Sequence, residues 1–423
     1  MKKALRTSLL TAAVFSASPM FWGRAALDAR VAPRLSKVRQ DQLPASILAL
    51  DLAADSHLAA AALSDGHVRV WQLETGAIAR DLTFPEPETD PRQKNDSEVE
   101  PIRVRFAPNG KILAVSHLSR IYLFDTASWQ QVGSSLGVQG EDVMRPIPVP
   151  TLTRRPEHEE PRPELTLNQM AQDWLKLRLT GDGRTRITDF AFTLDGSHIL
   201  AAYCRGSCYD RPGSWNSTNP GGKDPVRLWD VRSGRLAWEH IYDPKAVIQR
   251  VMPSPGGKLF AAAKEQPGWC TVQVHDLQSG ERLYSLPGVR AFADAAPSIL
   301  FTPNGKELIT FWAGPGTRKF RPWEHFAIYD VKDGRMVAEL QGRIGACDAD
   351  ISANGHWLVA PTLNLITFMI YDVQTRHVVA VVRRQFPWGW RGPGVDRVRF
   401  DPAGRYLVVA NRKSGKVAIY QFD

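Results

Sequence analysis

Apolar and polar positions alternate with a period of two through most of the chain, in short runs of about four to eight residues. This is the pattern of half-buried strands rather than helices. Pairs of runs are joined by one recurring turn. It reads Ala107-Pro108-Asn109-Gly110-Lys111, Thr193-Leu194-Asp195-Gly196-Ser197, Ser254-Pro255-Gly256-Gly257-Lys258, Thr302-Pro303-Asn304-Gly305-Lys306, Ser352-Ala353-Asn354-Gly355-His356 and Asp401-Pro402-Ala403-Gly404-Arg405, with Ala53-Ala54-Asp55-Ser56-His57 as a degenerate copy. Proline presets φ early in such a turn and glycine supplies the positive φ at its end. A third run follows at short distance and ends in an aromatic: Val68-Arg69-Val70-Trp71, Ile121-Tyr122-Leu123-Phe124-Asp125, Val226-Arg227-Leu228-Trp229-Asp230, Val272-Gln273-Val274-His275-Asp276, Phe326-Ala327-Ile328-Tyr329-Asp330, Phe368-Met369-Ile370-Tyr371-Asp372 and Val417-Ala418-Ile419-Tyr420. Turns such as Arg232-Ser233-Gly234 and Lys332-Asp333-Gly334 then lead into a fourth run, for example 236–238 or 378–382.

Each unit thus predicts four strands, a to d. Seven units recur, with aromatic ends roughly 42 to 54 residues apart except across one large insertion. The pattern predicts an all-β fold: a seven-bladed β-propeller of four-stranded antiparallel blades. The aromatic-Asp ending resembles the WD40-like repeat β-propeller family, here in a bacterial, exported form; Trp229-Asp230 matches it literally and the resemblance spans nearly all of residues 30–423. No regular Gly-His pair precedes the a strands, and the aromatic is often Phe, Tyr or His. The seventh unit ends after its c strand. Residues 31–38, in an N-terminal arm at 26–45, are expected to supply the missing outer strand, so that 46–423 form a ring closed by both chain ends. Pro33 is tolerated on an outer edge.

The start of the chain reads as a signal peptide, residues 1–25. Lys2, Lys3 and Arg6 precede an apolar run at 8–18, and Gly23-Arg24-Ala25 offers small residues for cleavage. The expected location is periplasmic or secreted, with no membrane span in the mature chain; an uncleaved N-terminal anchor is the alternative. Export also tempers the charge. The formal net charge is +9, and loss of Lys2, Lys3, Arg6 and Arg24 leaves +5, which calls for no nucleic-acid partner. A hydrophobic content of 43% with 23% charged residues supplies a sizeable core and excludes a wholly disordered chain.

Antiparallel blades place a–b and c–d turns on one face and b–c and d–a loops on the other. The longer segments, 85–100, 137–183, 205–224, 264–269, 313–324 and 387–395, all fall on the second face. Loops on a rigid scaffold commonly carry binding. Trp269, Trp312, Arg318, Arg321, Trp323, Trp388, Trp390 and Arg391 lie in or beside them, residue types favoured at binding hot spots. Segment 85–100 holds six acids against Arg92 and Lys94, so the face is expected to be acidic on one side and basic on the other. In 137–183, a proline-rich stretch precedes Thr166-Leu167-Asn168-Gln169, a capping box, and Leu167, Met170, Trp174 and Leu177 at helical spacing. One helix is expected in this insertion.

Cys204 and Cys208 flank a short turn and suit a local disulfide, with Cys270 as the rival partner. Catalytic motifs are absent: there is no nucleophile elbow, phosphate loop, zincin motif or dinucleotide fingerprint. No metal site and no cofactor are expected. His158-Glu159-Glu160 reads as solvated, and Asn216-Ser217-Thr218 is a formal glycosylation sequon. The repeated Asp125, Asp230, Asp276, Asp330 and Asp372 read as turn formers. The sequence favours a non-catalytic binding module or scaffold that engages a protein, peptide or polymer through its long-loop face. The alternative is an enzyme or enzyme subunit, as in the large chain of amine dehydrogenases, with Cys347, Asp348 or Asp396 acting at the channel mouth.

Overall fold

A computed structural model describes residues 33–55, 57–84, 102–138, 185–205, 225–242, 246–266, 269–290, 298–313, 324–340, 348–361, 367–383, 397–411 and 414–422. They form seven antiparallel sheets arranged as the blades of a propeller. Blade 1 runs from the inside outward as Ile47–Leu52, Leu58–Leu63, His67–Gln72 and Ile78–Thr83. The innermost strands of blades 2 to 7 are Arg103–Phe106, Thr185–Phe192, Val247–Pro253, Ser298–Phe301, Asp350–Ile351 and Arg397–Phe400. No helix among the described residues is long and apolar enough to cross a membrane. The expected helix at 166–177 lies outside the described residues.

The core is a set of layers between blades rather than one central mass. Val70 and Val68 of blade 1 pack on Val104 and Val115 of blade 2. Ile121 and Leu123 meet Ile199 and Tyr203 across blades 2 and 3. Further layers join blades 3 and 4, 4 and 5, 5 and 6, and 6 and 7. The circle closes where Leu50 and Trp71 pack against Val408 and Ile419 of blade 7. Twisted sheets that stack face to face in this way bury both surfaces of every blade.

The taper of the blades sets residue size. Blades converge on the axis, so the gap is narrow inside and wide outside. The second strand is accordingly rich in alanine, as in Ala59, Ala60, Ala61 and Ala62, all fully buried. The third strand carries the large residues Trp71, Trp229, Tyr329 and Tyr371. Space overrides the modest β-propensity of alanine here.

The recurring a–b turn has one geometry. The glycine amide bonds back to the residue opening the turn, as Gly110 N to Ala107 O at 2.8 Å, and Gly110 has φ +70°. The aspartates that end the third strands cap the c–d turns, as where Ser233 N donates to Asp230 Oδ1 at 2.6 Å. Bonds from the Ser233 hydroxyl and amide hold the Asp230 carboxyl below its ordinary pKa, which makes it a turn anchor.

Blade 7 takes its outer strand, Leu35–Gln42, from the other end of the chain, paired antiparallel with Lys416–Phe422. Pairing starts at Leu35 opposite Phe422, four residues later than the segment read from the sequence. Blade 2 departs from the four-strand expectation. Among the described residues its sheet has three strands, Arg103–Phe106, Ile112–His117 and Arg120–Asp125, and its outer edge is met by bridges from Leu136 to Ile121 and from Gln131 to Phe124. Gly133, at φ +64°, bends the chain between the two bridges. The loop expected at 264–269 is instead a hairpin: strands Leu259–Gln266 and Trp269–Asp276 continue to a Gln266–Trp269 pair. Cys204 sits within strand His198–Arg205, buried opposite Arg186, and not in the loop that follows.

His275 occupies the aromatic position of blade 4. Its ring stacks on Phe260 at 4.7 Å and meets Tyr242 at 4.2 Å. Burial, with no good hydrogen bond at either ring nitrogen, pushes its pKa down to about 4. Protonation therefore favours the unfolded chain, so this residue costs stability as pH falls from 6.5 towards 4. His275→Phe is expected to remove that loss, up to roughly 3 kcal/mol, with little change at pH 7; urea midpoints at pH 7 and pH 4.5 test this. Ala61→Leu, which overfills the layer between blades 1 and 7, is expected to lower the unfolding free energy by about 1–3 kcal/mol at all pH values.

Candidate functional site

An innermost strand pairs with one neighbour only. Its other edge carries backbone groups that face the channel and need partners. In this ring, side chains of the preceding blade supply several of them. Phe106 N donates to Asp51 Oδ2 at 2.7 Å, Val251 N to Asp189 Oδ2 at 3.2 Å, Val398 N to Asp348 Oδ2 at 3.2 Å and Phe400 N to Asp350 Oδ2 at 2.7 Å. Donors do the converse. Arg103 Nε reaches Thr188 O at 3.3 Å, Thr188 Oγ1 reaches Ile248 O at 2.6 Å and Arg397 Nη2 reaches Leu48 O at 3.2 Å. Each step runs from one blade to the next, across junctions 1–2, 2–3, 3–4, 6–7 and 7–1.

The positions follow from register. The residue two places before the first residue of each a–b turn is Asp51, Arg105, Ala191, Met252, Leu300, Asp350 or Arg399. Four places before it come Ala49, Arg103, Asp189, Arg250, Ser298, Asp348 and Arg397. Period-two geometry points both sets the same way. Together they place charged side chains on every blade but the fifth, with Ala191, Met252 and Leu300 as apolar positions on blades 3 to 5. All but Ala49, Arg103 and Arg397 line a cavity of about 370 Å³. Its wall also includes Ala353, Asp401 and Pro402 of the a–b turns, so it lies towards the plain face of the disc.

Arg399 organises the acidic side. Its Nη1 lies 2.8 Å from both oxygens of Asp348, and its Nε lies 3.9 Å from Asp51 Oδ1. Burial alone would raise the Asp348 carboxyl, but the Arg399 and Arg397 charges outweigh it and hold that group below its ordinary pKa. Burial prevails at the other two acids. Asp51 is raised despite Arg105 and Arg399, and Asp350 is pushed up to about 6 despite Arg399, with Asp348 adding repulsion. On the opposite side Asp189 stands between Arg105 and Arg250. The nitrogen–oxygen distances there, 3.7 and 3.8 Å, are ionic contacts and not hydrogen bonds.

The residues named from sequence map elsewhere. Trp269 begins the third strand of blade 4, and Trp312 lies in the second strand of blade 5 opposite His325. Both are at strand ends on the long-loop face; their side chains are outside the described residues. Arg318, Arg321, Trp323, Trp388, Trp390 and Arg391 also lie outside them, as do Cys208, Cys347 and Asp396. Among the enzyme candidates only Asp348 is placed, and it is held by Val398 N and Arg399. Cys270 is a buried thiol in no disulfide, which removes it as a partner for Cys204. Apart from Asp348, the channel charges do not stand out in any inner strand read alone. Aligning the seven strands on their turns displays Asp51, Arg105, Asp350 and Arg399 at a position where sister repeats carry Ala, Met or Leu. No family model matches the chain and no curated protein matches it in sequence. The WD-repeat resemblance therefore stands on the repeat residues and the seven-bladed arrangement.

The raised Asp350 carboxyl has a consequence for stability. The folded state binds its proton more tightly than the unfolded chain, so ionising it costs stability as pH rises from about 4 through 6. Asp350→Asn keeps an oxygen for Phe400 N and removes the charge. The variant is expected to exceed the parent by on the order of 2 kcal/mol at pH 7.5, with the difference vanishing near pH 4. Denaturant midpoints across that range check the sign.

Proposed function

We propose that this protein is an exported, non-catalytic binding module that engages a protein, peptide or polymer through the face bearing its b–c and d–a loops. One observation carries this reading: the distribution of connection lengths on a rigid antiparallel ring. Six of the seven a–b turns repeat a single short geometry around the disc. The longest inter-strand connections are those from Thr83 to Arg103, from the edge segment bridged at Leu136 to Thr185, and from Arg205 to Val226, Ala313 to Glu324, Glu339 to Asp350 and Arg383 to Arg397. All are of the b–c or d–a kind and emerge on one face. Drift without function would lengthen connections on both faces. Trp269, Trp312, Arg318, Arg321, Trp323, Trp388, Trp390 and Arg391 are the proposed contact residues, as large anchors on rim loops.

Export and the Cys204–Cys208 disulfide belong to the same proposal. An apolar start with a basic head supports export, and an oxidising compartment would favour the bond. The resemblance to WD-repeat proteins adds an analogy of fold alone.

An enzymatic reading draws on the ionisable groups that converge in the channel. Those acids also have a structural use. Asp51, Asp348 and Asp350 each accept a backbone amide from the next blade, and Asp348 is held ionised by Arg399. This favours the binding module.

The test is a quantitative pull-down from envelope extract with C-terminally tagged protein, beside a variant lacking residues 146–177. A stoichiometric partner that is lost with the segment is expected, while the urea midpoint of the variant stays within about 1 kcal/mol of the parent. Failure of both forms to retain any partner would overturn the scaffold reading.

A further inference from the structure

The channel cavity holds an acceptor that the ring does not use. Asp189 gives one oxygen to Val251 N. Its other oxygen, Oδ1, is buried and accepts no hydrogen bond, and the side chain is only 5% exposed. It belongs to the cavity wall. Arg105 and Arg250 flank it just beyond hydrogen-bond reach. A carboxylate oxygen buried in this way is costly unless something donates to it.

The surroundings decide what can donate. A cation bonded to Asp189 Oδ1 would lie close to two guanidinium groups, each repelling it. At separations near 5 Å and an effective dielectric of about 20, each repulsion is roughly 3 kcal/mol. An anion placed on Arg105 or Arg250 would meet Asp189 itself, with Asp51, Asp348 and Asp350 on the same wall. A neutral hydroxyl avoids both penalties, since it donates to a carboxylate and accepts from a guanidinium at once. Carboxylates and guanidiniums alternate in part of the ring: Asp51, Arg105, Asp189 and Arg250 come from blades 1, 2, 3 and 4 in order. They therefore suit several hydroxyls on one frame. Ala191 and Met252, on the same strands as Asp189 and Arg250, join Ile299 and Leu300 of blade 5 to offer an apolar surface to carbon–hydrogen groups. Among the described residues no three His, Cys, Asp or Glu converge as a metal ion requires. A cavity of about 370 Å³ stands at the small end of ligand-site volumes.

We propose that the channel cavity, entered from the plain face, binds a neutral cyclic polyol of monosaccharide size, with Asp189 Oδ1 accepting from one hydroxyl and Arg105 and Arg250 donating to its neighbours. This site is separate from the long-loop face and does not depend on the reading given to that face.

Calorimetry and saturation-transfer NMR on the full chain test it, with glucose and myo-inositol as probes at millimolar concentration. Cyclohexanol, butylammonium chloride and sodium butyrate are the controls. Binding of at least one polyol is expected, with none of the controls within about tenfold in affinity. Asp189→Asn keeps an oxygen for Val251 N and turns the unbonded acceptor into a donor, so it should weaken binding about tenfold or more. Ala191→Leu leaves every charge in place and fills the cavity, and should abolish binding if the site is where it is placed. Deletion of 146–177 should leave polyol binding unchanged. The proposal is overturned if neither polyol binds, if cyclohexanol or butylammonium binds as well, or if both folded variants retain the parent affinity. In those cases water alone, or a different ligand class, satisfies Asp189.

Discussion

Stacking of neighbouring blades through apolar layers is the interaction on which everything else in this molecule rests. No single blade could bury both of its faces. Each layer takes residues from two blades, as where Leu50 and Trp71 meet Val408 and Ile419, so the blades are stable only as a closed circle. This demand explains the alanines of the second strands and the large aromatics of the third. It also explains why the joint between blades 7 and 1 is made twice, by packing and by the exchange of strand Leu35–Gln42.

Closing the circle creates a second problem at its centre. Seven inner edges converge where no further strand can pair with them. Carboxylates and guanidiniums placed two and four residues before the turns answer part of that need, because Asp51, Arg103, Asp189, Asp348, Asp350 and Arg397 each reach a backbone group on the next blade. The same solution gathers buried charge around a void. Arg399 binds Asp348 tightly, which leaves Asp350 and Asp51 undercompensated. Asp189, in the cavity wall, keeps one buried oxygen without a hydrogen bond. Structural stitching and a ligand-sized polar cavity thus arise from one set of residues, and the two faces of the disc acquire separate characters.

His275 shows how tolerant the layer packing is. A histidine fills a place given to Trp, Phe or Tyr in the other units, stacked flat on Phe260. The layer accepts the shape and suppresses the charge. Blade 2 shows a comparable tolerance at the rim, where two bridges replace a strand beside the longest connection in the chain. Departures from the repeat are accommodated towards the rim, where the gap between blades is widest.

The number of blades, the order of strands and the turns were legible in the sequence by itself. They depend on local periodicity and on residues such as Gly110 and Asp230, whose roles are set within a few positions along the chain. The aromatic and basic loop residues could be placed on a face by the same reasoning. What the sequence could not display was partnership across the channel. Asp51 with Phe106, Asp348 with Arg399 and Asp189 between Arg105 and Arg250 are separated by about 50 or more residues, and only the curvature of the closed ring brings them together. The balance between burial and opposing charge, which raises Asp350 and lowers Asp348 two residues away, likewise exists only once the seven inner strands share one axis.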